Sequence, residues 1–303
     1  MMRVPMGGFY DRAALGMGKL AARADVVQMQ IATGTRLAAP SDDALAYRTL
    51  SGFNRQDGED LAYRANMNLA AGALAQADTT LTAITDQLQR ASELAIRAGT
   101  GTMTADARRA IGIELAGIVE TLAGLANRTD VRGLPLFGGA NGEAAAVRGP
   151  DGSFTLAGTS PSAIPIGAEG QSVQASESAR RVFGFTGRNG PTDALAVVAA
   201  LAAAIQAGDE TGAAARGAID DLTGATEQVA NAQASLGARA ARVEIMGAQL
   251  AELAADREEA RGGLEDTDIA TAVTELQKTM TILSATQASF AKLSSLSLFS
   301  YLR

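Results

Sequence analysis

The side chains with the most chemistry in this chain crowd into one stretch, Ile31 to Ala46, "IATGTRLAAPSDDALA". It sets Arg36 a short distance ahead of two adjacent carboxylates, Asp42 and Asp43, with Gly34, Pro40 and Ser41 interrupting apolar residues at helical spacing. An arginine beside paired carboxylates can do acid–base work, hold a cation, or shape a turn. The rest of the sequence gives the first two little support. Cys and His are both absent, which removes thiol nucleophiles, Ser-His-Asp triads and Cys/His zinc sites together. An enzyme would have to run on carboxylates, Lys or Tyr alone. No glycine-rich loop ends in Lys and Ser/Thr, and the glycines of "GLPLFGGANG" lack the strand before and helix after that a phosphate cradle requires. No enzymatic activity, cofactor or metal is expected.

The stretch reads instead as a joint. Gly34 is a good helix stop because it takes a left-handed conformation without penalty, and Pro40 blocks simple continuation. Ser41 can cap the next helix, with Asp42 and Asp43 in its first turn favoured by the macrodipole. Arg36 is near enough to pair with them, although an exposed pair contributes only about 0 to 1 kcal/mol.

A joint needs elements on either side, and periodicity supplies them. Met67, Leu74, Leu81, Leu88 and Ala95 fall seven apart, with Ala70, Ala77, Ile84, Ala91 and Ala98 between them. This is a sustained heptad seam. After a break at Gly99 to Thr102, Thr104 with Asp106 marks a helix start, and Ile111, Leu115, Ile118, Leu122 and Leu125 form a second seam, antiparallel to the first. Further on, Leu195, Val198, Ala202 and Ile205 mark a shorter helix before another seven-residue series, Leu222, Val229, Leu236, Val243 and Leu250. Strict seven-residue repeats favour left-handed supercoiling. Gly112, Gly117 and Gly124 each cost about 1 kcal/mol relative to Ala inside a helix, so close helix contact is the expected reason for them. Aromatics make up only 4% of the 303 residues and Trp is absent, so tight packing of Ala, Leu, Ile and Val is expected rather than a bulky core.

Between about Gly138 and Gly190 the helical period disappears, and "SFTLAG", "AIPIGA" and "RRVFGF" read as short strands among turns. This middle segment is expected to be separable from the helical seams. The termini carry a second pair of amphipathic helices. Ala13, Leu20 and Val27 repeat at seven with Met17, Ala24 and Ile31 between them, and Ile269, Leu276, Leu283 and Phe290 do the same, alongside Val273 and Met280. The C-terminal helix is set off by Gly262 and Gly263 and begins at "EDTD", with Asp266 or Thr267 as its cap. The ending "SSLSLFSYLR" crowds Leu298, Phe299, Tyr301 and Leu302 together. The fold class is therefore mainly α, an elongated antiparallel coiled-coil helical bundle built from both chain ends, with a small β-containing insertion domain. The expected organisation is residues 1–40 and 265–303 as terminal coiled-coil helices, 41–140 and 190–264 as a helical rod, and 141–189 as the insertion.

A net charge of -7 argues against nucleic-acid binding, which needs a concentrated positive surface. The N-terminus has no continuous apolar h-region, so a cleaved secretory signal is not expected, and the longest apolar run, Ala194 to Ile205, is too short to cross a bilayer.

Ile31, Thr33, Gly34, Arg36, Pro40, Ser41, Asp42 and Asp43, followed far along by Asp266, Asp268, Ala272 and Leu276 in "DTDIATAVTELQ", resemble the flagellin superfamily. Three features, "LPLFGG" after "LANRTDVRG", the "RRVFGF" piece and the ending "SLFSYLR", look more like its hook-associated protein 3 branch, which joins hook to filament, than like filament flagellin. The filament subunit stays open as an alternative, since Ser300 stands before Tyr301 and the last residue is Arg303. A saccharide-binding module on a flagellin-like scaffold is a third reading.

The resemblance implies export through the flagellar type III channel, an extracellular place in the flagellum, and assembly into a tubular array. It implies hook-associated protein 1, flagellin, a flagellar export chaperone and further copies of the same chain as partners, with no nucleic acid and no membrane insertion. It also casts Leu20, Val27, Ile31, Ile269, Val273, Leu276, Met280, Leu283 and Phe290 as an assembly interface, with Leu298, Phe299, Tyr301 and Leu302 as an apolar tail.

Overall fold

A computed structural model describes residues 6–100, 103–138, 142–150, 152–159, 163–168, 170–208 and 212–301, the backbone alone for residues 6, 7, 9 and 294–301. Seven helices and six short strands are described: α1 (Met6–Thr33), α2 (Ala44–Ala98), α3 (Ala105–Ala126), β1 (Ala146–Arg148), β2 (Phe154–Leu156), β3 (Ile164–Pro165), β4 (Ser172–Val173), α4 (Ala179–Phe183), β5 (Gly184–Gly187), β6 (Gly190–Asp193), α5 (Ala194–Gln206), α6 (Ala213–Glu265) and α7 (Ile269–Tyr301). They form two compact units, one of residues 1–58 with 252–303 and one of residues 59–251.

In the larger unit the heptad seams are the core. Leu81, Ile84 and Leu88 of α2, Leu115 and Leu122 of α3, and Leu222 and Val229 of α6 have no exposed surface. At about 1.5 to 3 kcal/mol for burying each large aliphatic side chain, these positions dominate the stability of the unit. Thr104 caps α3, its Oγ1 accepting from the Ala107 amide at 3.3 Å. α3 packs closely along α5, and Gly112 is the reason it can. A Cβ there would stand 2.8 Å from Gln206 Cγ and 3.2 Å from Ile205 Cγ2. Gly117 and Gly124 differ: each faces open space, so close approach does not account for them.

The middle segment forms three antiparallel two-stranded pairs, β1 with β2, β3 with β4 and β5 with β6. "RRVFGF" is not simply a strand; its first four residues end the short helix α4, and the strand starts only at Gly184. Nor is the segment packed apart from the helices. Leu156, Ile166, Val173 and Phe183 join the same hydrophobic core as α2, α3, α5 and α6. Side chains of the long helices then grip its backbone: Asn66 Nδ2 donates to Pro165 O at 2.8 Å and Gln228 Nε2 to Arg181 O, while Gln76 Nε2 holds Thr129 O, in the stretch leading up to the segment, at 2.8 Å. Arg239 of α6 donates to the carbonyls of Gln174 and Ser176 and to the carboxylate of Glu177, which is only 1% exposed. Burial of that carboxylate is tolerable because it is paired and hydrogen-bonded.

The smaller unit holds α1, the first turns of α2, the last turns of α6, and α7. α1 and α7 run antiparallel, joined by an edge-to-face contact of Tyr10 with Phe290 (centroids 5.4 Å apart, planes at 86°) and an Arg23–Glu275 ion pair, Nε to Oε1 2.9 Å. Between α2 and α6, Asp57 receives both Arg257 (2.9 Å) and Arg261, and Asn54 receives Arg261 at 3.0 Å.

Candidate functional site

Among the described residues no group of three carboxylates is placed to hold a metal ion, and no helix is long and apolar enough to cross a membrane. What the structure builds around the residues singled out in the sequence is a joint between helix ends and the helix pair it carries.

At the joint, α1 ends with Gly34 in the left-handed conformation (φ +73°), its amide bonded to Gln30 O at 2.9 Å. Residues 39–42 make a turn with Pro40 at its second position, where the fixed φ of proline fits, and the Asp42 amide closes it on Ala39 O at 3.0 Å. The Asp42 carboxylate accepts from the amides of Ala38 and Ala39 at 3.0 and 2.8 Å. Those backbone bonds, Ala39 first, hold its pKa below the ordinary value. Ser41 does not cap α2. Asp43 does, its Oδ1 accepting from Leu45 and Ala46 at 3.1 and 3.0 Å, because the proline turn uses up Ser41 and Asp42 before the helix begins.

The C-terminal side of the joint also differs from the expectation. α6 continues through Gly262 and Gly263 to Glu265, and α7 is capped by Asp268, not by Asp266 or Thr267. Asp268 accepts from the Ala270 and Thr271 amides at 3.0 and 3.2 Å and from Thr271 Oγ1 at 2.7 Å. These bonds, that with the Thr271 side chain foremost, lower its pKa.

The two linkers cross each other, which no local reading of either could show. Thr35 and Asp266 form an antiparallel bridge, with the Arg36 amide on Glu265 O at 2.6 Å and the Thr267 amide on Gly34 O at 2.9 Å. The Arg36 guanidinium donates to Leu264 O at 2.9 Å, at the negative end of α6, and stands 3.9 Å from Asp43. The sequence suggested Arg36 as a partner for the aspartates; its shorter contact is with a carbonyl 228 residues away.

The candidate assembly residues fall into two sets. Val27 is buried, and Leu20, Ile31, Leu276, Leu283 and Phe290 are half-buried within the smaller unit, whereas Ile269, Val273 and Met280 are exposed along α7. α1 exposes Leu15, Val26 and Met29 as well, at positions about half a helical turn from Val27 and Ala24. A groove between α1 and α7 is lined by Leu20, Arg23, Thr274, Glu275, Lys278 and Ile282. The side chains of Leu298, Phe299 and Tyr301, and all of Leu302, lie outside the described residues.

Two comparisons in sequence and one in structure can be set beside this architecture. Residues 12–142 match the bacterial flagellin N-terminal helical region and residues 219–302 the bacterial flagellin C-terminal helical region. The chain is 24% identical over 285 residues to flagellar hook-associated protein 3 of Escherichia coli, covering 89% of this chain and 90% of that protein. It is 29% identical over 144 residues to flagellar hook-associated protein 3 of Salmonella typhimurium, a match spanning 48% of this chain and 45% of that one. The flagellar junction protein FlgL of Legionella pneumophila shares the fold at a TM-score of 0.57, with 12% identity over 73% of this chain and 100% of that one. The residues matched to the two flagellin regions contain all four helix ends of the joint, and the chain belongs to the bacterial flagellin superfamily.

Proposed function

We propose that this chain is a structural subunit of the bacterial flagellum that joins hook to filament. The observation that carries the reading is the alignment with hook-associated protein 3 of Escherichia coli over nearly the whole of both chains. In this reading residues 1–40 and 265–303 serve assembly, 41–140 and 190–264 form the rod, and 141–189 form an outward face. The subunit is exported with the help of a flagellar chaperone, stands outside the cell between hook-associated protein 1 and flagellin, and contacts further copies of itself. Its work is mechanical, coupling two tubes of different stiffness, and calls for no catalytic group or cofactor.

The apolar residues left uncovered on α1 and α7, Leu15, Val26, Met29, Val273 and Met280 among them, support the assembly role, because a lone two-helix pair leaves half its surface unpartnered. The filament subunit is the second reading, since both flagellin helical regions match. Immunogold labelling of intact flagella separates the two. A single band at the hook end is expected; label along the whole filament would replace the first reading by the second.

A further inference from the structure

Four helix ends meet where the linkers cross, and one residue touches three of them. Arg36 accepts at its carbonyl from Gln30 Nε2 of α1 at 2.9 Å. Its amide and guanidinium reach the last carbonyls of α6, Glu265 and Leu264, and its guanidinium approaches Asp43, the cap of α2. The fourth end, that leading into α7, is held through Thr267, whose amide donates to Gly34 O. The bridge thus consists of two backbone bonds in opposite directions, on strands too short to persist alone.

A second observation concerns Thr267, which closes the crossing on the α7 side. Thr267 Oγ1 is buried and has no hydrogen-bond partner among the described residues. A buried hydroxyl left so is a standing cost to the closed arrangement, and one that opening relieves.

We propose that the crossing is a latch that opens as one cooperative event, pinned by Arg36, so that α1 and α7 are held or released together rather than singly. This is a property of the free subunit and does not depend on what it assembles into. Arg36 can serve as pin because its planar guanidinium donates to the Leu264 carbonyl at 2.9 Å while its charge stands 3.9 Å from the Asp43 carboxylate; a lysine ammonium is a point charge on a flexible stem and does not hold that fixed geometry.

Amide hydrogen exchange of the full-length monomer, read by NMR, tests the latch. In Arg36→Ala the amides of residue 36 and Thr267 should both exchange about tenfold faster or more, the loss of a charge-assisted bond being of that size. The amides of Leu81 and Leu222 in the larger unit should not change. Arg36→Lys should resemble Arg36→Ala. Thr267→Val, which keeps the shape and removes the unpartnered hydroxyl, should slow both latch amides. The proposal is overturned if the two amides respond separately, if Arg36→Ala leaves both unchanged or speeds the Leu81 and Leu222 amides as well, or if Thr267→Val speeds them.

Discussion

The same seven-residue spacing runs through α2 and through the α1–α7 pair, with different results. On α2 it gives a row of side chains with no exposed surface, Ala77, Leu81, Ile84 and Leu88; on the pair, only Ala24, Val27, Ala272 and Thr279 are buried among the described residues. The difference is the number of neighbours. α2 shares a core with α3, α5, α6 and the middle segment, whereas within the smaller unit α1 packs chiefly against α7. A heptad seam states which face a helix buries and says nothing of how many partners bury it. Stability in this chain therefore resides in the larger unit, and the terminal pair is left with apolar surface to give to something else.

The sharpest way to break that comparison is one substitution in each region. Leu88→Ala opens a cavity in a fully packed seam and should cost about 2 to 5 kcal/mol; Leu88→Asp should abolish cooperative folding, because it also strands a charge in the core. Leu283→Asp, at a half-buried position of α7, should leave the main melting transition of the monomer within a few degrees of the parent while incorporation into flagella is lost. Calorimetry of the purified monomers, with secreted and assembled pools measured separately, reads both effects. A melting drop for Leu283→Asp as large as that for Leu88→Ala would place the pair inside the cooperative core and end the distinction.

A second test concerns what holds the middle segment to the larger unit. Arg239→Met removes the nearer of two arginines on a Glu177 carboxylate that is almost wholly buried and leaves Arg181 at 3.6 Å, so the loss should fall toward the lower end of the about 3 to 5 kcal/mol that breaking a buried pair from one side costs. The double variant Arg239→Met with Glu177→Leu should recover much of the loss, since no buried carboxylate is then left with only the more distant, largely exposed Arg181. Denaturant melts of the three chains measure it. If the single variant melts like the parent, the middle segment is only loosely attached, and the larger unit owes less to it than its shared core implies.

How much of this was readable beforehand depends on where the hydrogen-bond acceptors sit. The seams and the Thr104 cap follow from side-chain identity and spacing, so they were legible; of the three glycines expected at close contacts, only Gly112 makes one, because which face of α3 meets α5 is set by the tertiary packing. The caps of α2 and α7 fall on Asp43 and Asp268, two residues after Ser41 and after Asp266, because a proline turn and a linker crossing consume the residues before them, and each of these candidates can cap equally well on paper. The docking of the middle segment was illegible for a different reason. Its acceptors, Pro165 O, Gln174 O, Ser176 O and Arg181 O, are backbone carbonyls, which every residue possesses and no residue type advertises. The linker crossing and the Asp57–Arg257–Arg261 cluster have no signal in the sequence beyond charged residues at ordinary helical positions.

Two glycines sharpen the comparison within α3 itself. Gly112→Ala drives a methyl group toward Gln206 Cγ and Ile205 Cγ2 in the contact with α5, and overpacking of this kind costs about 1 to 3 kcal/mol. Gly117→Ala meets nothing and should gain about 1 kcal/mol from helix propensity alone. Opposite signs in thermal melts are expected, and equal signs would mean that α3 and α5 are not so closely packed in solution.

The smallest expected effect separates the aspartates of the joint from one helix cap of the larger unit by pH; Asp130, elsewhere in the larger unit, has a lowered pKa like those of the joint. Asp42 and Asp268 in the joint have pKa values lowered by the hydrogen bonds they accept. A depressed pKa means stabilisation that is complete above the unfolded value, about 3.9 for Asp, and is lost as pH falls through the lower folded value. Acid therefore loosens the joint. Asp193, which caps α5 in the larger unit by accepting from Ala196 at 2.8 Å, behaves oppositely: burial, only partly offset by bonds from Ala196 and Leu195, raises its pKa. The folded chain holds that proton to higher pH than the unfolded one, so the contribution of Asp193 declines as pH rises from the unfolded value through the raised folded one. Asp193→Asn keeps an oxygen for the Ala196 amide and removes the charge, at the expense of a favourable helix-dipole interaction. Because the carboxylate is only partly buried, solvent screening reduces the gain at pH 7 to about 0.5 kcal/mol or less. Melts of Asp193→Asn and the parent should thus differ slightly in favour of the variant at pH 7 and converge near pH 3, where both side chains are neutral. A variant less stable than the parent at pH 7 would show that the dipole interaction outweighs burial at this cap, and that Asp193 titrates with the same sign as Asp42 and Asp268.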